Sequence, residues 1–174
     1  MSNKYRFGTK AIHAGVEPDP STGAIMTPVF QSSTYVQEAV GKHKGYQYSR
    51  SQNPTRSALE KNIAALENAA YAAIFASGMA ATDCLLRTLK PGDEVIATND
   101  LYGGTYRIFK TVFEPLGIKF HFTSFSEPEK IRPLISEQTK LIWLESPSNP
   151  MLSIVDIKAI ASIKSGSRPC NSSC

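Results

Sequence analysis

YAAIFASGMAATDCLLRTLKPGDEVIAT, residues 71–98, decides the fold. It opens on an apolar run of strand length, Tyr71 to Phe75, and turns at Ala76-Ser77-Gly78. A helical apolar pattern follows over Met79 to Leu89, stopped by Lys90-Pro91-Gly92, and Glu94 to Thr98 is a second strand-length run. The same alternation continues outward. Thr105 to Leu116 reads as a helix ended by Gly117, Ile118 to Thr123 as a strand, and Pro128 to Ile135 as a shorter helix. Leu141 to Leu144 reads as a strand, and a last helix runs from Ile157 to about Lys164. Strands that alternate with helices specify an α/β domain with a mostly parallel sheet. Ligands of such sheets bind beyond the carboxyl ends of the strands, which directs attention to the loops after Phe75, Thr98 and Leu144.

Upstream, Gly15, Pro18, Pro20, Gly23 and Pro28 punctuate a segment without sustained period, so residues 1–50 are expected to form an extended arm that lies on another surface. Asn53 and Pro54 then mark a helix start, N-cap and first turn, and Leu59, Ile63 and Leu66 recur on one face. Residues 51–164 make the α/β domain. Past Lys164 the apolar pattern stops, and residues 165–174 read as a solvated or aberrant tail that holds two of the three cysteines, Cys170 and Cys174.

Composition narrows the function classes. With 41% hydrophobic and 20% charged residues the chain is neither disordered, collagen-like nor coiled coil. The net charge of +4 is scattered, with no basic stripe interleaved with aromatics, which argues against a nucleic-acid partner. No apolar run of about 20 residues is present to span a membrane, and the polar start Met1 to Arg6 lacks a secretory core, so a cytoplasmic protein is expected. An odd cysteine count without such a signal argues against a disulfide framework, and no ligand set around the terminal pair suggests a metal.

Four loops carry chemistry. Ser77-Gly78-Met79 opens a helix after a strand, where free N–H groups and the positive end of the helix dipole can receive a phosphate. Taken alone such a turn is common in α/β domains, and it matches neither the Walker nor the Rossmann glycine pattern. Tyr48 and Arg50, in Tyr46 to Arg56, place a phenol and a bidentate phosphate donor just ahead of the capped helix. Tyr102, in Asn99-Asp100-Leu101-Tyr102-Gly103-Gly104, stands beside two glycines that leave room for a flat ligand to stack. Glu145 and Asn149 are held in Glu145-Ser146-Pro147-Ser148-Asn149-Pro150, a loop stiffened by two prolines.

In this order and spacing, YSRSQNPTR, FASGMAA, NDLYGGTYR and LIWLESPSNP closely resemble the Cys/Met-metabolism family of pyridoxal-phosphate (PLP) enzymes, and the likeness runs from about Thr9 to about Ile163. The resemblance implies the PLP-binding domain of a fold-type I, aspartate aminotransferase-like enzyme. It implies that Ser77, Gly78 and Met79 hold the cofactor phosphate, that Tyr102 stacks on the ring and does acid or base work on the substrate, and that Asn149 stands near the ring hydroxyl, with Glu145 supporting its loop. Tyr48 and Arg50 match a Tyr-x-Arg that reaches the cofactor of a neighbouring subunit, so a homo-oligomer, a tetramer in this family, with sites shared across a dimer is implied. His13 and Cys84 are taken as structural.

The resemblance further implies amino-acid substrates: an O-acylhomoserine and cysteine joined into cystathionine by gamma-replacement, in the synthase branch that serves methionine biosynthesis. The alternatives are the gamma-lyase branch, a non-catalytic fragment that docks on full-length subunits, and a phosphate-binding module without PLP. Gly104 stands where the methionine gamma-lyase branch carries Cys. One departure is plain. The family's Ser-x-Thr-Lys, whose lysine holds the cofactor covalently, and its strand Asp against the ring nitrogen are not matched; Asp156 precedes a helix instead. The chain is therefore expected to be an inactive N-terminal portion, cut near Lys164 by a frameshift, premature stop or mis-assigned gene boundary.

Overall fold

A computed structural model describes residues 5–163, and the chain divides into two compact units between Phe75 and Ala76. The expectations for Met1 to Lys4 and for residues 164–174, Cys170 and Cys174 included, lie outside the described residues. No helix among the described residues is long and apolar enough to cross a membrane.

In the first unit, α1 (Phe7–His13) packs on α2 (Pro54–Leu66), and β1 (Gln37–Ala39) pairs antiparallel with β2 (Lys42–His43). The start of α2 is built as its sequence predicts. Asn53 Oδ1 accepts the N–H groups of Thr55 and Arg56 at 2.9 and 3.2 Å, and Pro54 takes the first turn, where no N–H is needed. The same residues stitch down the arm. Asn53 Nδ2 donates to Phe30 O, Thr55 Oγ1 donates to Pro28 O, and the Phe30 N–H donates to Thr55 Oγ1, each at 2.9 Å. The arm is thus less uniform than expected: α1 and the small hairpin interrupt it, and part of what it lies on is α2. Asn62 Nδ2 reaches Ala14 O at 2.8 Å, and Gly15, at φ +73°, passes so close that a Cβ would stand 2.4 Å from the Lys61 carbonyl oxygen. Only glycine tolerates both that dihedral and that approach.

The second unit is a three-stranded parallel sheet in the order β4 (Lys119–Thr123), β3 (Glu94–Thr98), β5 (Thr139–Trp143). Both faces of β3 are buried, which is why EVIAT reads as an unbroken apolar run and not as an alternation. Val95 and Ala97 meet Leu86 of α3 (Gly78–Leu86) together with Phe109 and Phe113, whereas Ile96 meets Ile131, Val155 and Ile160 on the other side. Phe109 is fully buried; its ring stacks on Phe120 with centroids 4.4 Å apart and takes Trp143 edge-on at 5.6 Å.

Three expectations change in detail. Tyr71 to Phe75 forms no strand, and Tyr71 is 89% exposed. A strand exists only through ladder partners, and among the described residues none lies beside it. Pro128 to Ile135 is two 3₁₀ turns, Pro128–Lys130 and Arg132–Leu134, because Pro133 has no N–H to continue a helix. The helix expected over Thr105 to Leu116 begins earlier, as α4 (Gly103–Ile108), and widens into a π segment, Phe109–Phe113, closed by Glu114 N–H donating to Phe109 O at 2.8 Å. Beyond β5, α5 (Ile157–Ala161) is capped by Asp156, whose Oδ1 accepts the Ala159 N–H at 2.9 Å.

At the amino end of β3, the Glu94 side chain reaches β4 and the turn ahead of β5. Its Oε2 accepts the Ser136 hydroxyl at 2.9 Å and lies 3.3 Å from His121 Nε2, while Oε1 is 3.6 Å from Lys119 Nζ. The Ser136 hydrogen bond chiefly, helped by His121 and Lys119 against the opposing effect of burial, holds the Glu94 carboxyl below the usual Glu range. A carboxyl depressed in the folded state stabilises the fold above its unfolded pKa, and that contribution is lost as pH falls through the lower, folded value. Thermal melts should therefore drop in acid below the ordinary Glu range. In Glu94→Gln that acid limb should flatten, and an unchanged limb would assign the loss to other groups.

Candidate cofactor site

The topology itself marks a crevice. β3 and β5 are neighbours, but the loop after β3 leads to α4 and the Phe109 face, whereas the loop after β5 leads to α5 on the Ile96 face. Where adjacent parallel strands send their chains to opposite faces, the loops part and leave a binding cleft. Tyr102 and Asn149 stand on these two loops.

One candidate anion-binding point is the N-terminus of α3. Ser77 Oγ accepts the Ala80 N–H at 3.1 Å, so the N-cap settles one of the free amides. The N–H groups of Gly78 and Met79 have no acceptor among the described residues, and a Cβ at Gly78 would meet nothing within 4 Å. Two free N–H groups, an open approach and the dipole end are features that can receive an anion. Tyr102 lies close to it. A Cβ placed on Gly104 would stand 2.5 Å from Tyr102 Cε1 and 3.1 Å from Met79 Sδ, so the ring folds back over Gly104 toward the first turn of α3. The ring is half exposed and Gly103 is open around it, which leaves a face for a flat ligand. Asn149 is exposed, and its amide has no partner among the described residues.

Two carboxylates hold the loops. Glu145 Oε2 accepts the Tyr102 N–H at 2.9 Å, so the carboxylate expected to support its own loop reaches across to the tyrosine turn. Asp100 Oδ2 accepts the hydroxyl of Ser148, a residue 2% exposed. Asp100 and Ser148 escaped the sequence reading; the available signal was an Asp two residues past a strand end and a Ser between two prolines. Tyr48 and Arg50 belong to the first unit. There Tyr48 bridges Thr34, and the Arg50 guanidinium, without a salt bridge among the described residues, lies 4.8 Å from the Tyr48 ring centre.

The second unit is therefore an α/β domain that can anchor a phosphate at a helix N-terminus and lay an aromatic ring against a tyrosine. The sequence model of the Cys/Met metabolism PLP-dependent enzymes matches residues 8–168, and the chain belongs to that family. It is 50% identical to the cystathionine beta-lyase of Coxiella burnetii over 93% of this chain and 42% of that one. It is also 50% identical to a probable cystathionine gamma-synthase of Herpetosiphon aurantiacus, over 91% of this chain and 50% of that one. The crystal structure of metB from Corynebacterium glutamicum superposes with a TM-score of 0.88 at 49% identity, covering 92% of this chain and 42% of that one. The chain thus spans about half the length, or less, of the relatives it matches. The family's cofactor is pyridoxal phosphate, and the free amides at Gly78 and Met79, the open Tyr102 ring and the unpaired Asn149 amide suit its phosphate, ring and hydroxyl in kind.

Proposed function

We propose that the chain supplies the phosphate seat and ring platform of a PLP enzyme of trans-sulfuration, and that the reaction of the whole enzyme is gamma-replacement, O-acylhomoserine and cysteine giving cystathionine. The observation that carries the cofactor reading is the Tyr102 ring folded over Gly104 beside the free amides of α3. When bound, the cofactor serves as the electron sink for a carbanion at the substrate α-carbon. The chain's own residues do the rest. Gly78 and Met79 hold the phosphate by their N–H groups, Ser77 keeps that turn wound, and Asn149 donates to the ring hydroxyl. Tyr102 covers one face and excludes water there, and its hydroxyl is placed to take or return a substrate proton. Relatives named beta-lyase, gamma-synthase and gamma-lyase match at 50%, 45–50% and 46–47% identity, so the names favour the synthase branch over the gamma-lyase branch only by that margin.

In this reading the cofactor-bearing lysine and the aspartate against the ring nitrogen lie in the part of the relatives' length that this chain does not span. The enzyme is a cytoplasmic homo-oligomer, and Tyr48 and Arg50 serve a neighbour's phosphate. The second reading, a fragment that docks on full-length subunits, is favoured by the exposed Tyr48–Arg50 pair. PLP titration with phosphate competition, then borohydride reduction and mass spectrometry, tests the first. The expected result is reversible uptake competed by inorganic phosphate, no adduct at a single lysine, and no cystathionine formed. A specific lysine adduct would overturn the assignment of the missing lysine, and uptake indifferent to phosphate would overturn the seat at α3.

A further inference from the structure

The backbone ladder between β3 and β5 ends at the pair Ala97 and Trp143. Beyond it the two loops that carry Tyr102 and Asn149 are unsupported by sheet, and two side-chain bonds cross between them instead. Glu145 Oε2 accepts the Tyr102 N–H at 2.9 Å, and Ser148 Oγ donates to Asp100 Oδ2. Ser148 is the hub of its own turn. Its hydroxyl oxygen accepts the Ser153 N–H at 2.9 Å, its N–H donates to Ser153 O at 2.9 Å, and its carbonyl accepts the Leu152 N–H at 3.1 Å. The single hydroxyl proton is committed to Asp100, since a carboxylate only accepts. One crossing bond would leave a pivot; two, at residues 100 and 102 on one loop and 148 and 145 on the other, remove it.

We propose that Asp100, Ser148 and Glu145 are positioning residues that form a two-point clamp, and that this clamp sets the spacing between the ring-stacking Tyr102 and Asn149. The proposal rests on the cofactor reading above, and its test separates the two. Amide exchange at Tyr102 is followed in the full chain, and PLP and inorganic phosphate are titrated separately. In Ser148→Ala and in Asp100→Ala, exchange at Tyr102 should rise about fivefold, although neither residue touches that N–H. PLP affinity should fall about fivefold while phosphate affinity holds, because phosphate needs only the start of α3. Asp100→Asn keeps an acceptor oxygen and should restore both readouts.

Unchanged exchange at Tyr102 would overturn the clamp, as would phosphate affinity falling in step with PLP, which general loss of structure produces. Failure of Asp100→Asn to rescue would overturn the role of the Asp100 acceptor. A wild-type chain that binds phosphate but not PLP would overturn the cofactor reading and with it the clamp's service to the cofactor.

Discussion

Phe109→Ala is expected to cost about 3–5 kcal/mol and to abolish the cooperative melt of the α/β unit. Phe109 is fully buried between three aromatic neighbours, Phe120, Phe122 and Trp143, drawn from β4 and β5, and it also closes the π turn through its carbonyl. Truncation removes the apolar area and leaves a void that the paired strands cannot collapse to fill, and each aromatic pair adds roughly 0.5–1.5 kcal/mol beyond area. Phe109→Leu, which retains most of the volume, should recover a cooperative transition. Urea and thermal unfolding read the outcome. A loss of under about 1 kcal/mol for the alanine variant would mean that the aromatic cluster does not hold the sheet together.

The second large effect falls on binding and leaves stability alone. At Gly104 a Cβ would meet Tyr102 Cε1 at 2.5 Å and Met79 Sδ at 3.1 Å. Both are ends of movable side chains, so the fold yields easily, and alanine within α4 is by propensity the better residue by up to about 1 kcal/mol. The ring yields too, by swinging off the turn of α3. Gly104→Ala should therefore melt at or slightly above the wild-type temperature while PLP binds about tenfold more weakly, or about 1.4 kcal/mol. Equilibrium titration beside a thermal melt checks both signs, and unaltered PLP affinity would disconnect the Tyr102 ring from the cofactor.

The parts of the fold visible in the sequence are those decided locally. Asn53 and Pro54 announce α2 by their own chemistry, and Glu94 to Thr98 is a strand with the expected ends, because burial on both faces leaves an uninterrupted apolar run. Tyr71 to Phe75 has the same apolar character without the outcome, since pairing depends on a partner strand and not on the segment. Pro133 is a helix breaker visible in the sequence, and in the structure it overrides the apolar pattern of its neighbours. At the site, Gly78 and Tyr102 could be picked out from turn chemistry. The Asp100–Ser148 bond spans 48 residues, and the folding of Tyr102 over Gly104 depends on a rotamer; neither leaves a periodicity to read.

Trp143 is the single tryptophan of the chain, it closes β5 two residues before Glu145, and its indole N–H is buried without an acceptor among the described residues. Indole emission is therefore the signal of one partly buried side chain whose N–H is shielded from water, in contact with Phe109 on one side and covalently near the loops of Tyr102 and Asn149 on the other. The fold carries its own optical gauge. A red shift marks water reaching the core, and quenching without a shift marks a change confined to the strand ends, so one spectrum separates collapse of the sheet from occupation of the cleft.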